Sequence, residues 1–137
     1  MNRYANNLKA ARCFRFKTLE VPLKLETALL DLNHHRYVLL IDCLSVWLTN
    51  LIVKNGWQDQ VQIKSHIIQL IDCIGASNAN IVTISSEVGL SVIGIDAMTR
   101  AFIDFNGFMN QKLAKLAKDV FFVQAGLAQN IKSNSKH

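Results

Sequence analysis

Proline occurs once and glycine six times in 137 residues. With half of the residues hydrophobic, so few chain breakers exclude intrinsic disorder and fit an ordered globular chain. Long apolar runs are absent too. None reaches the roughly 18–20 residues that a membrane span requires, so no span is expected. The first seventeen residues, MNRYANNLKAARCFRFK, have no apolar centre, which argues against a secretory signal. Their arginines could suggest an organelle transit peptide, but they run straight into sequence that reads as folded, and a cytoplasmic location is expected. Cysteine is scarce: Cys13, Cys43 and Cys73 lie about thirty residues apart with no C-x-x-C pair. That spacing supports neither a zinc site nor a disulfide framework, and the three read as free thiols. Internal repeats and low-complexity segments are also missing.

What is present is the material for one small domain with a single core over residues 1–137. The net charge of +5 is unevenly placed. Arg3, Lys9, Arg12, Arg15 and Lys17 all precede the first acid, Glu20. Residues 1–17 therefore read either as a basic, loosely packed end or as a patch that meets phosphates.

Periodicity divides the rest. Pro22 announces a helix carrying Leu25, Ala28, Leu29 and Leu32, which ends at Asn33–Arg36. Tyr37–Ile41 is a short continuous apolar run closed by Asp42, the pattern of a strand buried on both faces of a parallel sheet. Helices are expected over 43–54 and about 59–74, the second with Ile63, Ile67, Leu70 and Ile71 on one stripe. A second strand over Ala79–Ile84 leads to Ser85, Ser86 and Glu87, then to a loop with Gly89 and Gly94. Asp96 is a plausible N-cap for a helix over 96–118 with Met98, Phe102, Phe105, Met109, Leu113 and Leu116 on its apolar face. Val120–Val123 reads as a third strand, followed by Gly126 and a polar tail. The order α-β-α-α-β-α-β predicts an α/β domain with a parallel sheet. Three strands make a small parallel sheet with open edges, and a further strand or a partner subunit is expected to cover one.

In such a sheet, ligands bind beyond the carboxyl ends of the strands. Asp42 and Glu87 fall there. An apolar strand followed at once by Asp fits the Mg²⁺-organising acid of a P-loop nucleotide enzyme, and it fits equally an Asp capping the next helix. The companion phosphate loop, G-x-x-x-x-G-K-S/T, has one near miss, Gly126–Ser133 (GLAQNIKS). Ile131 replaces its second glycine and no helix follows, so no phosphate site is expected there. His34–His35 could serve acid/base or covalent chemistry, but the pair falls at the amino end of its strand and reads as a solvated loop. His66 lies within a helix, and no Ser-His-Asp arrangement emerges. Trp47 and Trp57 read as core and loop anchors.

Two stretches carry more. VLLIDCLSVWLTNLI (38–52) and SEVGLSVIGIDAMTRAFIDFNGFMNQKLAKLAKDVFFVQAGL (86–127) resemble the adenosylcobinamide kinase/adenosylcobinamide-phosphate guanylyltransferase family. The family pattern is D-C-L/I-S/T-x-W-L/V-S/T-N after a core strand, then N-E-V-G-x-G-I/V-V-P. It continues with a helix bearing R-x-F-R-D-x-x-G-x-x-N-Q-x-L-A and a strand leading to A-G. Upstream, Arg12, Phe16, Thr18, Leu19 and Glu20 look like the family's R-P-x-x-W/F-x-T/S-x-E segment.

The resemblance implies a P-loop NTPase (RecA-like) three-layer fold with a parallel sheet. It implies an enzyme of cobalamin biosynthesis that phosphorylates adenosylcobinamide with ATP or GTP. The same enzyme then transfers GMP from GTP to adenosylcobinamide phosphate through a guanylylated histidine. It also implies a homotrimer whose partners are guanine nucleotide and corrinoid, with no role for nucleic acid. By position, Asp42 implies a contact to nucleotide and Mg²⁺, and Glu20 a guanine-nucleotide contact. Lys9, Ala10, Ala11 and Arg12 imply the nucleotide-contacting segment, and Glu87 and Gly89 a substrate loop. The family's first strand and G-G-x-R-S-G-K-S loop are expected to have no counterpart. The guanylylated histidine's place falls at Leu8, with Asn7 beside it, so no catalytic residue is assigned. Ser86 stands for a family Asn, Ser91 for Gly, Gly94 for Pro, and Ile103 and Phe108 for Arg. Two expectations stay open: an enzyme of this family lacking the groups that both steps require, or a non-catalytic nucleotide-binding or assembly module. An unrelated small α/β domain is the remaining alternative.

Overall fold

A computed structural model describes residues 16–90, 94 and 96–133. Among these residues, four helices carry the core. α1 (Leu25–Asp31) buries Leu25 and Leu29, one turn apart. α2 (Leu44–Asn55) buries Leu44, Trp47, Leu48, Leu51 and Ile52, the i, i+3, i+4, i+7, i+8 pattern of a core-facing helix. It ends at Gly56, whose φ of 82° suits the residue without a Cβ.

α3 (Gln60–Gly75) starts where the Asp59 side chain accepts from the Gln62 backbone N–H, and it buries Ile63, Ile67 and Leu70. α4 (Ala97–Leu116) starts at Asp96, which accepts from the Thr99 N–H as an N-cap does, and it buries Phe105, Met109 and Leu113. α1 packs on α3, and α2, α3 and α4 pack on one another. Their apolar stripes form one cluster with Leu39, Ile41 and Ile81 of the strands against it. Trp47 is the core anchor expected of it. Its Nε1–H donates to the Leu23 carbonyl at 2.9 Å, tying the segment before α1 to α2.

β1 (Val38–Asp42) and β2 (Asn80–Ile84) pair in parallel, with Asp42 opposite Ile84. The mixed α/β order and the parallel pairing match the sequence expectation, and two features differ. First, the strands are not buried on both faces. Leu39, Ile41 and Ile81 face the helices, whereas Val38, Leu40, Val82 and Ile84 are 66, 49, 52 and 44% exposed. Among the described residues, the helices cover one face of this sheet.

Second, the third strand does not extend the parallel sheet. β3 (Asp119–Gln124) pairs antiparallel with β4 (Leu127–Ser133) in a separate hairpin. Ala125 and Gly126 both have positive φ, 52° and 78°, which is the two-residue turn whose twist matches a hairpin. The near-miss phosphate loop is thus strand from Leu127 onward, and Lys132 and Ser133 of the expected polar tail belong to β4, the rest of that tail lying outside the described residues. Lys132 Nζ reaches the carbonyls of Ala114, Lys115 and Ala117 at 2.8, 3.0 and 2.6 Å. All three ammonium protons are committed to the carboxyl end of α4, and none is left for a phosphate.

Candidate functional site at the carboxyl ends of the parallel strands

The polypeptide leaves β1 at Asp42 and enters α2 at once, and it leaves β2 at Ile84 into Ser85–Ser86–Glu87. Both exits lie on the same edge of the sheet because the strands are parallel and in register. Asp42 is exposed, and its carboxylate makes no hydrogen bond or ion pair to another described residue. The N-cap of α2 is Cys43, with no side-chain bond to the helix. The reading of Asp42 as a helix cap is therefore not what the structure contains. Glu87 lies three residues beyond the end of β2. Its Oε1 accepts from the Gly89 N–H at 2.8 Å, closing a turn. A Cβ on Gly89 would come within 2.9 Å of that same oxygen, a contact that the flexible end of the exposed Glu87 side chain relieves by shifting.

Behind these two exits is a polar cluster built from α2, the end of β2 and α4. Ser45 and Asn106 are the buried polar side chains among the described residues, 6 and 0% exposed. They bond to each other, Ser45 Oγ–H donating to Asn106 Oδ1 at 2.9 Å. Both then turn to the peptide of Ser86. Its N–H donates to Ser45 Oγ at 2.8 Å, and its carbonyl accepts from Asn106 Nδ2 at 2.7 Å. Asn110, one turn along α4, donates to the same carbonyl at 3.1 Å and accepts from Ser85 Oγ at 2.6 Å.

Two amide groups aimed at one carbonyl fix both amide orientations. Each Oδ1 must then take a proton from a serine, and a hydroxyl has one proton to give. The approach of Ser45 Oγ to Ser85 Oγ at 3.2 Å is therefore a contact between two oxygens whose protons point elsewhere. Leaving a buried group of this kind unpaired would cost about 1–3 kcal/mol.

The other predicted residues fall as follows. Glu20 is exposed in the segment before α1. Leu8 and the segment Lys9, Ala10, Ala11 and Arg12 lie outside the described residues, as do Cys13 and Ser91. His34 and His35 stack at 4.5 Å, exposed before β1 at its amino end. Four residue steps of strand, roughly 13 Å, separate that end from Asp42. His66 Nδ1 faces Glu26 Oε1 of α1 at 3.6 Å, also apart from the exits. Cys43 and Cys73 are half-buried free thiols. Gly94 has a packing reason: its Cβ would overlap the Thr99 side chain, and its carbonyl accepts from Arg100 Nη1 at 3.1 Å. A cavity of about 300 Å³ between α3 and α4, bordered by Lys64, Asp104 and Phe108, includes none of the strand-exit residues.

Ser45, Ser85, Asn106 and Asn110 were not singled out by sequence reasoning. One signal was available. Asn106 follows Phe105 on the stripe that runs through Phe102, Met109 and Leu113, where a polar residue must find buried partners.

Comparison with known proteins places these features in context. Residues 1–131 match the family model described as cobinamide kinase / cobinamide phosphate guanyltransferase. The bifunctional adenosylcobalamin biosynthesis protein CobP of Pseudomonas aeruginosa is 32% identical over 132 residues, covering 96% of this chain and 75% of its own length. The bifunctional adenosylcobalamin biosynthesis protein CobU of Escherichia coli is 31% identical over 112 residues, 74% of this chain and 61% of its own. Its Salmonella typhimurium namesake is 28% identical over 104 residues, 69% of this chain and 58% of its own. The chain thus spans three quarters of the first relative and about three fifths of the other two.

Proposed function

The chain belongs to the cobinamide kinase / cobinamide phosphate guanyltransferase family, and on that premise we propose that it acts in cobalamin biosynthesis. Its reactions would be nucleotide-dependent phosphorylation of adenosylcobinamide and transfer of GMP from GTP to adenosylcobinamide phosphate. In the first, the substrate hydroxyl oxygen takes the terminal phosphoryl group and the nucleoside diphosphate leaves. The second joins the new phosphate to GMP, and pyrophosphate leaves. The fold proposed with this function is the P-loop, RecA-like type, of which the β1–β2 pair and its helices form part.

The observation that carries this reading is the exposed carboxylate of Asp42 at the carboxyl end of a parallel strand. The donor set there fits Mg²⁺ arriving with a nucleotide rather than a resident metal. Among the described residues no group of three His, Cys, Asp or Glu could hold an ion. Mg²⁺ is commonly held by one or two carboxylates, with water and substrate phosphates completing the shell. Asp42 would hold the ion, which supplies charge neutralisation at the phosphates. Glu20 and the segment Lys9 to Arg12 would contact the guanine nucleotide, and the turn of Glu87 and Gly89 would border the corrinoid. A second reading, a non-catalytic nucleotide-binding module, is favoured by Leu8 at the place of the family's guanylylated histidine, since a leucine forms no phosphoramidate.

Thermal unfolding with GTP and Mg²⁺ tests the nucleotide site. The wild-type chain is expected to be stabilised, and Asp42→Ala to bind at least about tenfold more weakly, or 1.4 kcal/mol. No stabilisation of the wild type, or an unchanged response in Asp42→Ala, would sink the assignment. Labelled GTP with adenosylcobinamide then separates the two readings. Transfer of label supports the enzyme, and binding without transfer supports the module. A self-associated chain is proposed as well, because the face of Val38, Leu40, Val82 and Ile84 is apolar and uncovered.

A further inference from the structure

We propose that Asn106 and Ser45 are positioning residues, which clamp the Ser86 peptide and thereby set the pose of the Glu87–Gly89 turn at the mouth of the site. Both are buried, yet their hydrogen bonds do not close on the core. Ser45 Oγ takes the Ser86 N–H, and Asn106 Nδ2 takes the Ser86 carbonyl. Ser86 is itself exposed. Past Ile84 the peptide has left the β1–β2 ladder, and two side chains now hold the donor and acceptor that a neighbouring strand would otherwise hold. The clamp extends strand-like definition past the end of the sheet, to the residue before Glu87.

Packing alone does not account for the choice of residues. A leucine at 106 would fill a position between Phe105 and Met109 with no need of partners. The asparagine is wired in one sense: it accepts from α2 through Ser45 and donates to the loop through Ser86. α2 follows directly from Asp42, so the same hydroxyl that anchors the loop sits three residues beyond the carboxylate at the end of β1. The two strand exits are thereby held in fixed relation. If the turn borders the corrinoid, as proposed above, the clamp sets how that substrate is received. This last step rests on the functional reading; the clamp itself does not.

Amide hydrogen exchange on the full chain tests the clamp. Asn106→Leu touches neither the Ser86 N–H nor the Gly89 N–H. It is nevertheless expected to raise exchange at both by about tenfold or more, with the α3 amides of Ile63 and Ile67 unchanged. Ser45→Ala is expected to do the same, and Ser45→Thr, which keeps the hydroxyl, to restore slow exchange. Should Ser86 and Gly89 speed up only in step with Ile63 and Ile67, the two residues merely stabilise the core and the proposal is overturned. Equilibrium dialysis with adenosylcobinamide adds the functional arm. Asn106→Leu is expected to weaken binding of adenosylcobinamide about tenfold and to leave GTP–Mg²⁺ binding at Asp42 unchanged. A wild-type chain that binds no adenosylcobinamide would remove the substrate reading, while the exchange rates alone still decide the clamp.

Discussion

Thr99 meets Asp96 twice, through its hydroxyl at 2.6 Å and its backbone N–H at 2.8 Å. The hydroxyl bond, and then the backbone bond, hold the Asp96 carboxyl below the usual carboxylate range, because each stabilises the charged form. A folded-state pKa below the unfolded one adds stability above the unfolded value, and that stability is lost as pH falls through the folded value. Asp96→Ala is therefore expected to melt at a lower temperature than the wild type at about pH 7, with the gap narrowing at a second, acid pH below the ordinary carboxylate range. Paired thermal melts at the two pH values check it, and a gap independent of pH would contradict the cap's charge. This cap was legible in the sequence because Asp at the start of an apolar stripe is a local signal. Asp42 was legible as a position, at the end of a short apolar run. The Ser45–Asn106 clamp was not. Its partners stand 61 residues apart, and single-residue patterns carry no information about which distant hydroxyl an amide will meet.

At the scale of elements, the three longer helices were read to within two residues, since their apolar stripes repeat at the helical period, whereas the first begins at Leu25, three residues after the Pro22 expected in its first turn. The hairpin was misread. Gln129, Asn130, Lys132 and Ser133 leave β4 without an apolar alternation, and its existence depends on the turn at Ala125–Gly126 and on pairing with β3. Lys132 ties it to the helical layer by satisfying carbonyls at the end of α4 that the last turn leaves free. Lys132→Met keeps the length of the stem and removes the charge. It is expected to lower the stability of the fold by about 1–2 kcal/mol, read from chemical denaturation, with faster amide exchange in β4. A variant as stable as the wild type would show that water replaces the ammonium without loss, and that the hairpin is held by other contacts.

For the whole molecule, the helical face and the sheet's outer face make opposite demands on solvent. Among the described residues, the helices bury thirteen hydrophobic side chains in one cluster. On the other side of the β1–β2 pair, Val38, Leu40, Val82 and Ile84 remain 44–66% exposed. Parallel sheets are ordinarily covered on both faces, since the helices that connect their strands lie against them. A contiguous exposed apolar patch of this kind marks a contact surface. The sequence reading anticipated burial on both faces from the same residues, and the apolar pattern supports that demand even where the described chain leaves it unmet. Self-association would satisfy it, at about 25 cal/mol for each Å² of apolar surface removed from water. Leu40→Lys with Val82→Lys places two charges on the centre of the patch and leaves the helical cluster untouched. Sedimentation across a concentration series is expected to show association of the wild-type chain and a clear shift towards monomer in the double variant. If the average mass is the same for both at every concentration, association through this face is excluded.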